Sequence, residues 1–230
     1  MSIVLQEVYQ QLLRAFGPQK WWPGDTPFEI MVGAILVQNT NWQNVERAIC
    51  NLRHADLLDP QALYDVPPEE LEELIRPAGY YRIKAKRLRS LLKFMVQRYD
   101  GSIEAMFRTP LGRLREELLG INGVGPETAD SILLYAGSLP TFVVDAYTYR
   151  IFSRHGWIDP EADYHQIQEY FHDHLPADAA MFNEFHALLV NLGKHFCKKS
   201  KPLCKTCPLE SMLPEGGPIG NDEIRMTNGE

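Results

Sequence analysis

Between two helical patterns the chain runs Gly120-Ile121-Asn122-Gly123-Val124-Gly125-Pro126, three glycines in six residues with apolar Ile121 and Val124 between them. No other stretch restricts the fold as much. Glycine takes backbone conformations that other residues resist. Pro126 suits the first turn of a helix, where its missing N–H has no intrahelical partner to lose. The pattern predicts a helix closed by Leu118 and Leu119, a tight hairpin, and a second helix over 127–135. Open N–H groups at such a helix start suit an anion, and an apolar hairpin suits a DNA phosphate better than a small ligand. An ordinary helical corner is the alternative on this stretch alone. Downstream, Phe142-Val143-Val144-Asp145 places a single carboxylate at the start of another helix, 146–155. By itself Asp145 reads as well as an N-cap as it does as a group that stabilises positive charge in a reaction.

The remaining chain is a succession of helices. Residues 3–16 space apolar side chains helically and stop at Gly17-Pro18. Thr26-Pro27-Phe28-Glu29 has the form of a capping box with proline at the first helical position. The helix it opens is apolar nearly all round, which predicts burial. It breaks at Asn39-Thr40, and a helix from Trp42 follows. Short helices punctuated by proline fill 56–77, and further helices are expected over 85–99, 110–119, 164–174 and 179–196. That makes roughly ten helices. No period-2 run of useful length occurs, so the fold class is all-α. The segment 214–230 is poor in large apolar residues and reads as a flexible tail.

Composition narrows the possible partners. No apolar run approaches the roughly 20 residues of a membrane span, and the N-terminus lacks a basic start and a small-residue cleavage site. A cytoplasmic protein without membrane contact is the expectation. The formal net charge of −7 counts against nucleic acid, because neutralising phosphates supplies much of such affinity. The charge is uneven, however. Residues 80–93 carry Arg82, Lys84, Lys86, Arg87, Arg89 and Lys93 with no acid, and 197–205 carry four lysines. Each cluster reads either as a local basic face or as a solvated helix surface.

Cys197, Cys204 and Cys207 form C-x6-C-x2-C, a spacing that in a cytosolic chain argues for metal or iron–sulfur ligation over disulfides. No fourth cysteine follows. Cys50 stands on a helix far off in sequence and reads as a core residue. Three outcomes stay open: a 4Fe–4S cluster with incomplete cysteine ligation, no cluster, or zinc with His195 as fourth ligand. His155, His165, His172, His174 and His186 show no ligand spacing and read as surface or satisfied side chains.

Taken together, GAILVQNT (33–40), RPAGYYRIKAKRL (76–88), INGVGPETAD (121–130), FVVDAYTYR (142–150) and the cysteine spacing resemble the helix-hairpin-helix DNA glycosylase superfamily, in its endonuclease III branch. The resemblance covers about residue 6 to residue 207. It implies two helical domains with a DNA-binding groove between them: a six-helix bundle bearing the hairpin, over 24–137, and a domain of both chain ends, 1–23 and 138–213, closed by the cysteine loop. The partner it implies is double-stranded DNA with a damaged base turned out of the stack, and the protein is expected to act as a monomer.

Within the superfamily the chain is most similar to the endonuclease III-related 3-methyladenine glycosylase type, through Trp21-Trp22-Pro23, Gln38-Asn39-Thr40 with Trp42 behind it, and Glu127. The resemblance makes Asp145 the catalytic carboxylate. It places Trp21, Trp22, Trp42, Glu127 and Tyr147 at the base pocket, with Trp21 and Trp42 as the stacking pair. Gln38 fills the gap left by the flipped base. Gly123, Val124 and Gly125 hold the DNA backbone, with Lys84, Lys86 and Arg87 nearby. Endonuclease III carries a lysine where Glu127 stands, and that lysine attacks the sugar. A glutamate cannot form the Schiff base. The family's fourth cysteine falls at Leu213. A monofunctional glycosylase removing alkylated purines is therefore expected. The alternatives are another monofunctional glycosylase, for adenine or a mismatched pyrimidine, and a non-catalytic damage-binding protein.

Overall fold

Proline marks one helix start after another. In this computed structural model, which describes residues 5–220, α1 (Leu5–Phe16) is followed by α2 (Pro27–Leu36), whose N-cap Thr26 accepts from the Glu29 N–H at 3.2 Å. The capping box is only half formed, because the Glu29 carboxylate turns to Arg53 at 2.7 Å. Then come α3 (Trp42–His54), α4 (Pro60–Asp65), α5 (Pro68–Leu74), α6 (Tyr81–Tyr99), α7 (Ile103–Phe107), α8 (Leu111–Leu119) and α9 (Pro126–Ser131). A π-helical turn, Ile132–Ala136, extends α9. The last three helices are α10 (Ala146–Arg154), α11 (Tyr164–His174) and α12 (Ala179–His195). No strand occurs among the described residues; the backbone of the Phe142–Asp145 run bonds side chains instead, the Phe142 N–H donating to His172 Nε2 at 2.9 Å and its carbonyl accepting from Gln168 at 2.6 Å.

The chain forms two units, one of Met1–Trp22 with Pro140–Glu230, the other of Pro23–Leu139. The second, continuous unit has its own core, built on α2 (Met31, Val32, Ile35, Leu36), α3 (Val45, Ala48, Ile49, Leu52) and α6 (Leu88, Leu91, Leu92, Met95). Cys50 does not join it. The buried face of α3 runs through positions 45, 48, 49 and 52 at helical spacing, which leaves Cys50 exposed beside the His54 imidazole. Lys84, one of the expected DNA-side cations, is buried. Its ammonium donates to the Leu36 carbonyl at 2.9 Å and the Ala78 carbonyl at 2.8 Å. Arg89 likewise caps the Val66 carbonyl. Half of the basic run is therefore turned to the protein, and Arg82, Lys86 and Lys93 are its exposed members.

In the discontinuous unit α12 packs against α1 and α10. Phe142, Phe152, Phe171, Phe182 and Phe185 fill the interior, Phe142 stacking on Phe171 at 3.7 Å between ring centroids. Two arginines one turn apart lock α10 to the end of α12. Arg150 donates to the Cys197 and Gly193 carbonyls, and Arg154 donates to those of Lys198 and Lys199. Cations at a helix C-terminus complement its open carbonyls. Part of the expected tail is engaged, since the Ile219 N–H donates to the Arg154 carbonyl at 2.8 Å. Residues 221–230 lie outside the described residues.

Candidate active site and cysteine cavity

Asp145 is the N-cap of α10, and one of its two oxygens does the capping. Oδ1 accepts from the Thr148 N–H at 2.8 Å and the Thr148 hydroxyl at 2.9 Å. Oδ2 faces His186 Nε2 at 3.6 Å. Both residues are buried. Burial pushes the His186 pKa down, against the pull of Asp145, so a neutral imidazole stands beside the carboxylate. Sequence reasoning missed this histidine. It lies at position 186, on α12, and only the packing of α12 against α10 brings it to Asp145.

Tyr147 is half-buried two residues on. Its ring lies against Gly193, where an added Cβ would stand 2.2 Å from Tyr147 Cδ1, so only glycine fits there. The Arg150 guanidinium sits 5.0 Å from its centroid. Trp21 and Trp22 meet edge to face at 5.4 Å, and the Lys194 ammonium lies 5.6 Å from the Trp21 ring centroid. Two of the expected base-pocket rings thus already hold a protein cation.

The continuous unit carries Gln38, Trp42, Gly123, Val124, Gly125 and Glu127. Gly123 has φ +88°, and a Cβ there would fall 2.2 Å from Arg87 Cγ. Both facts demand glycine. Arg87 donates to Gln38 Oε1 at 2.6 Å, and Gln38 Nε2 donates to the Gly123 carbonyl and the Thr128 hydroxyl. Gln38 is therefore bound to the hairpin. Val124 is buried, and Gly125 is exposed as the N-cap of α9. Glu127 is exposed in the first turn of α9. Trp42 packs partly on the core. A bidentate pair, Arg115 to Asp130 at 2.7 and 3.0 Å, joins α8 to α9 across the hairpin. Tyr80, which sequence reasoning passed over, is 73% exposed in a left-handed conformation (φ 47°) at the start of α6.

Cys197, Cys204 and Cys207 line one cavity, with Arg154, His155 and Leu213 also in its wall. His195 is exposed at the end of α12 and is not among the residues that line this cavity. Among the described residues no three His, Cys, Asp or Glu side chains converge closely enough to hold a single metal ion. Burial pushes the Cys207 thiol up to about 11, and Cys204 is raised for the same reason. In the wall, Arg154 Nε is buried with no hydrogen-bond partner, and the buried His155 imidazole stands beside the Ile151 and Leu209 carbonyls. Three thiols beside a buried guanidinium whose Nε lacks an acceptor fit a thiolate-held anionic group such as an iron–sulfur cluster.

The chain can be placed among known proteins. A family model described as HhH-GPD superfamily base excision DNA repair protein matches residues 32–177. A candidate DNA repair glycosylase of Methanocaldococcus jannaschii is 52% identical over 209 residues, 90% of this chain and 94% of that protein. A non-covalent endonuclease III–DNA complex superposes with TM-score 0.79 at 25% identity, covering 94% of this chain and 97% of that one. The 3-methyladenine DNA glycosylase of H. pylori bound to 1,N6-ethenoadenine gives TM-score 0.71 at 30% identity, covering 82% and 96%. With the glycine hairpin and the capping aspartate described above, these likenesses make the chain a member of the HhH-GPD superfamily, a base excision repair DNA glycosylase of the endonuclease III family.

Proposed function

We propose that the protein hydrolyses the glycosidic bond of alkylated purines, 3-methyladenine foremost, in double-stranded DNA, and does not cut the strand. The observation that carries this is Glu127 in the first turn of α9, where a lyase of this family needs an amine. Asp145 supplies the hydrolytic half. As the C1′–N bond breaks, its electron pair goes to the base, which neutralises a base that was cationic. The sugar takes up the positive charge, and Asp145 Oδ2 is the oxygen left to stabilise it. Water adds to C1′ and gives its proton to the carboxylate or to solvent. No acid is needed for a leaving group that departs neutral.

The glycine hairpin suits the phosphate backbone, and exposed Tyr80 offers an aromatic wedge for a base step. Cys197, Cys204 and Cys207 would hold a cluster that supplies electron storage and ties the loop to α10. Base removal does not pass through it. The cations over Trp21 and Tyr147 favour a second reading, in which a neutral alkylated ring such as ethenoadenine is taken better than a cationic one, because a cationic base competes with Lys194 and Arg150 for those faces.

A base-release screen over duplexes with 3-methyladenine, ethenoadenine, oxidised and mismatched bases tests both. Release of alkylated purine is expected, with Asp145→Asn slower by about 10²–10³-fold or more. Borohydride should trap no enzyme–DNA adduct. An unchanged rate in Asp145→Asn removes the catalytic assignment, and a trapped adduct removes the monofunctional one.

A further inference from the structure

Asp145 is reached by a run of chain that no regular structure holds. Thr141, Phe142, Val143 and Val144 are buried, belong to no helix or strand, and lead directly into the N-cap of α10. Buried backbone groups need partners, and here α11 supplies them. Gln168 Nε2 donates to the Phe142 carbonyl at 2.6 Å and to the Thr141 hydroxyl at 3.2 Å. The Phe142 N–H donates to His172 Nε2 at 2.9 Å. A longer bond, 3.4 Å, takes the Val144 N–H to the Tyr164 hydroxyl.

Tyr164, Gln168 and His172 stand four residues apart, so they share one face of α11. The run passes that face antiparallel to the helix, with residue 144 meeting position 164 and residue 142 meeting positions 168 and 172. The three side chains do for the run what a neighbouring strand would do. Their chemistry matches their places. A carbonyl only accepts, so position 168 needs an amide N–H, and a carboxylate there would repel the Phe142 oxygen. A backbone N–H only donates, so His172 meets it with the Nε2 lone pair. The Phe182 ring lies nearly parallel to that imidazole at 5.6 Å between centroids, and Phe171, from the same helix, stacks on Phe142.

Burial alone does not set the register of the run. Apolar contact is non-directional, and Phe142, Val143 and Val144 would stay buried through a small slide along α11. Hydrogen bonds are directional, and those on Phe142 and Val144 act close to Asp145. A carboxylate that must meet a sugar carbon tolerates little error, since a misplacement of about 1 Å costs on the order of 100-fold in rate. We propose that Gln168 and His172, with Tyr164 in support, are positioning residues for Asp145. They fix the backbone from which the carboxylate is presented. The proposal rests on Asp145 as the group that acts on the sugar.

The test uses the full chain. Gln168→Met fills the same space without donors, His172→Leu removes the acceptor, and His172→Gln returns one. Single-turnover release of whichever base wild type removes fastest should fall about 10-fold to 100-fold in Gln168→Met and in His172→Leu, at unchanged affinity for the duplex. His172→Gln should recover most of the rate. In an Asp145→Asn background the same changes should cost little more, because the group they position is gone. Equal slowing in both backgrounds overturns the proposal, as does a full rate in both single variants. A second readout needs no substrate. The Thr148 N–H donates to Asp145 Oδ1 at 2.8 Å, so its hydrogen exchange should quicken in Gln168→Met while amides of α12 keep their protection. Unchanged Thr148 exchange also overturns the proposal. If Gln168→Met does not fold, His172→Leu and its rescue by His172→Gln decide the matter. If wild type releases no base, the reading of the reaction fails, and Thr148 exchange alone decides whether α11 holds Asp145.

Discussion

Asp145 divides its carboxylate between two duties: Oδ1 holds the first turn of α10 through Thr148, and Oδ2 faces His186 at 3.6 Å. The cap fixes where the group stands, and the histidine bears on which way its other oxygen turns. His186→Leu removes the imidazole that faces Oδ2 while keeping an apolar interior. Single-turnover base release should then fall about 10-fold to 100-fold, less than for loss of the carboxylate itself, with DNA affinity unchanged. His186→Gln, which keeps a polar atom, should recover part of the rate. Equal rates in wild type and His186→Leu would mean that the cap alone orients Asp145. The aspartate itself was legible in the sequence, because a carboxylate before a helix start is a local pattern. His186, His155 and Lys84 were not, because a lone histidine or lysine looks the same in sequence whether it ends in solvent or in the core.

At the scale of elements, the hairpin is held from three sides. Its glycine carbonyl accepts from Gln38, its backbone closes on Arg87, and its flanking helices are joined by Arg115 and Asp130. Asp130 is fully buried, so Asp130→Asn leaves the Arg115 charge without its counter-ion. Breaking such a pair costs about 3–5 kcal/mol. Urea unfolding should show a free energy of unfolding lower by that amount, with most of it regained in the double variant Arg115→Met with Asp130→Leu. A loss under about 1 kcal/mol would show that Gln38 and Arg87 suffice. The starts at Pro27 and Pro126 and the glycine hairpin could be read beforehand, since caps and turns act over a few residues. α7 could not. One turn capped by Ser102 carries too little periodicity to stand out, and its place depends on packing beside α6 and α8. Cys50 failed for a related reason: Ala48, Ile49 and Leu52 close by are apolar and buried, but the helix turns Cys50 outward.

For the whole molecule, the two units carry their buried titratable groups in different pH windows. His186 belongs to the discontinuous unit and Lys84 to the continuous one. The folded His186 pKa lies below its unfolded value of 6.5, so the unfolded chain binds more protons as pH falls. Stability of that unit is fully present above 6.5 and is lost on acidification. The Lys84 pKa is lowered from 10.5 to about 8, by burial first and then by Arg87. Between those values the unfolded chain again holds the extra proton, and stability of the continuous unit rises with pH. In the metal-free protein the cysteine loop runs the other way. Cys207 is raised from 9.0 to about 11, so the folded state keeps a proton that the unfolded state gives up, and stability of the discontinuous unit falls above pH 9. Raising the pH from 8 to 9.5 should therefore strengthen one unit and begin to weaken the other. Hydrogen exchange of α6 and α12 amides, corrected for intrinsic rates, reads the two separately. Protection should grow in α6 and shrink in α12, and Lys84→Met should flatten the α6 response. Parallel changes in both helices would mean that the units unfold as one cooperative body.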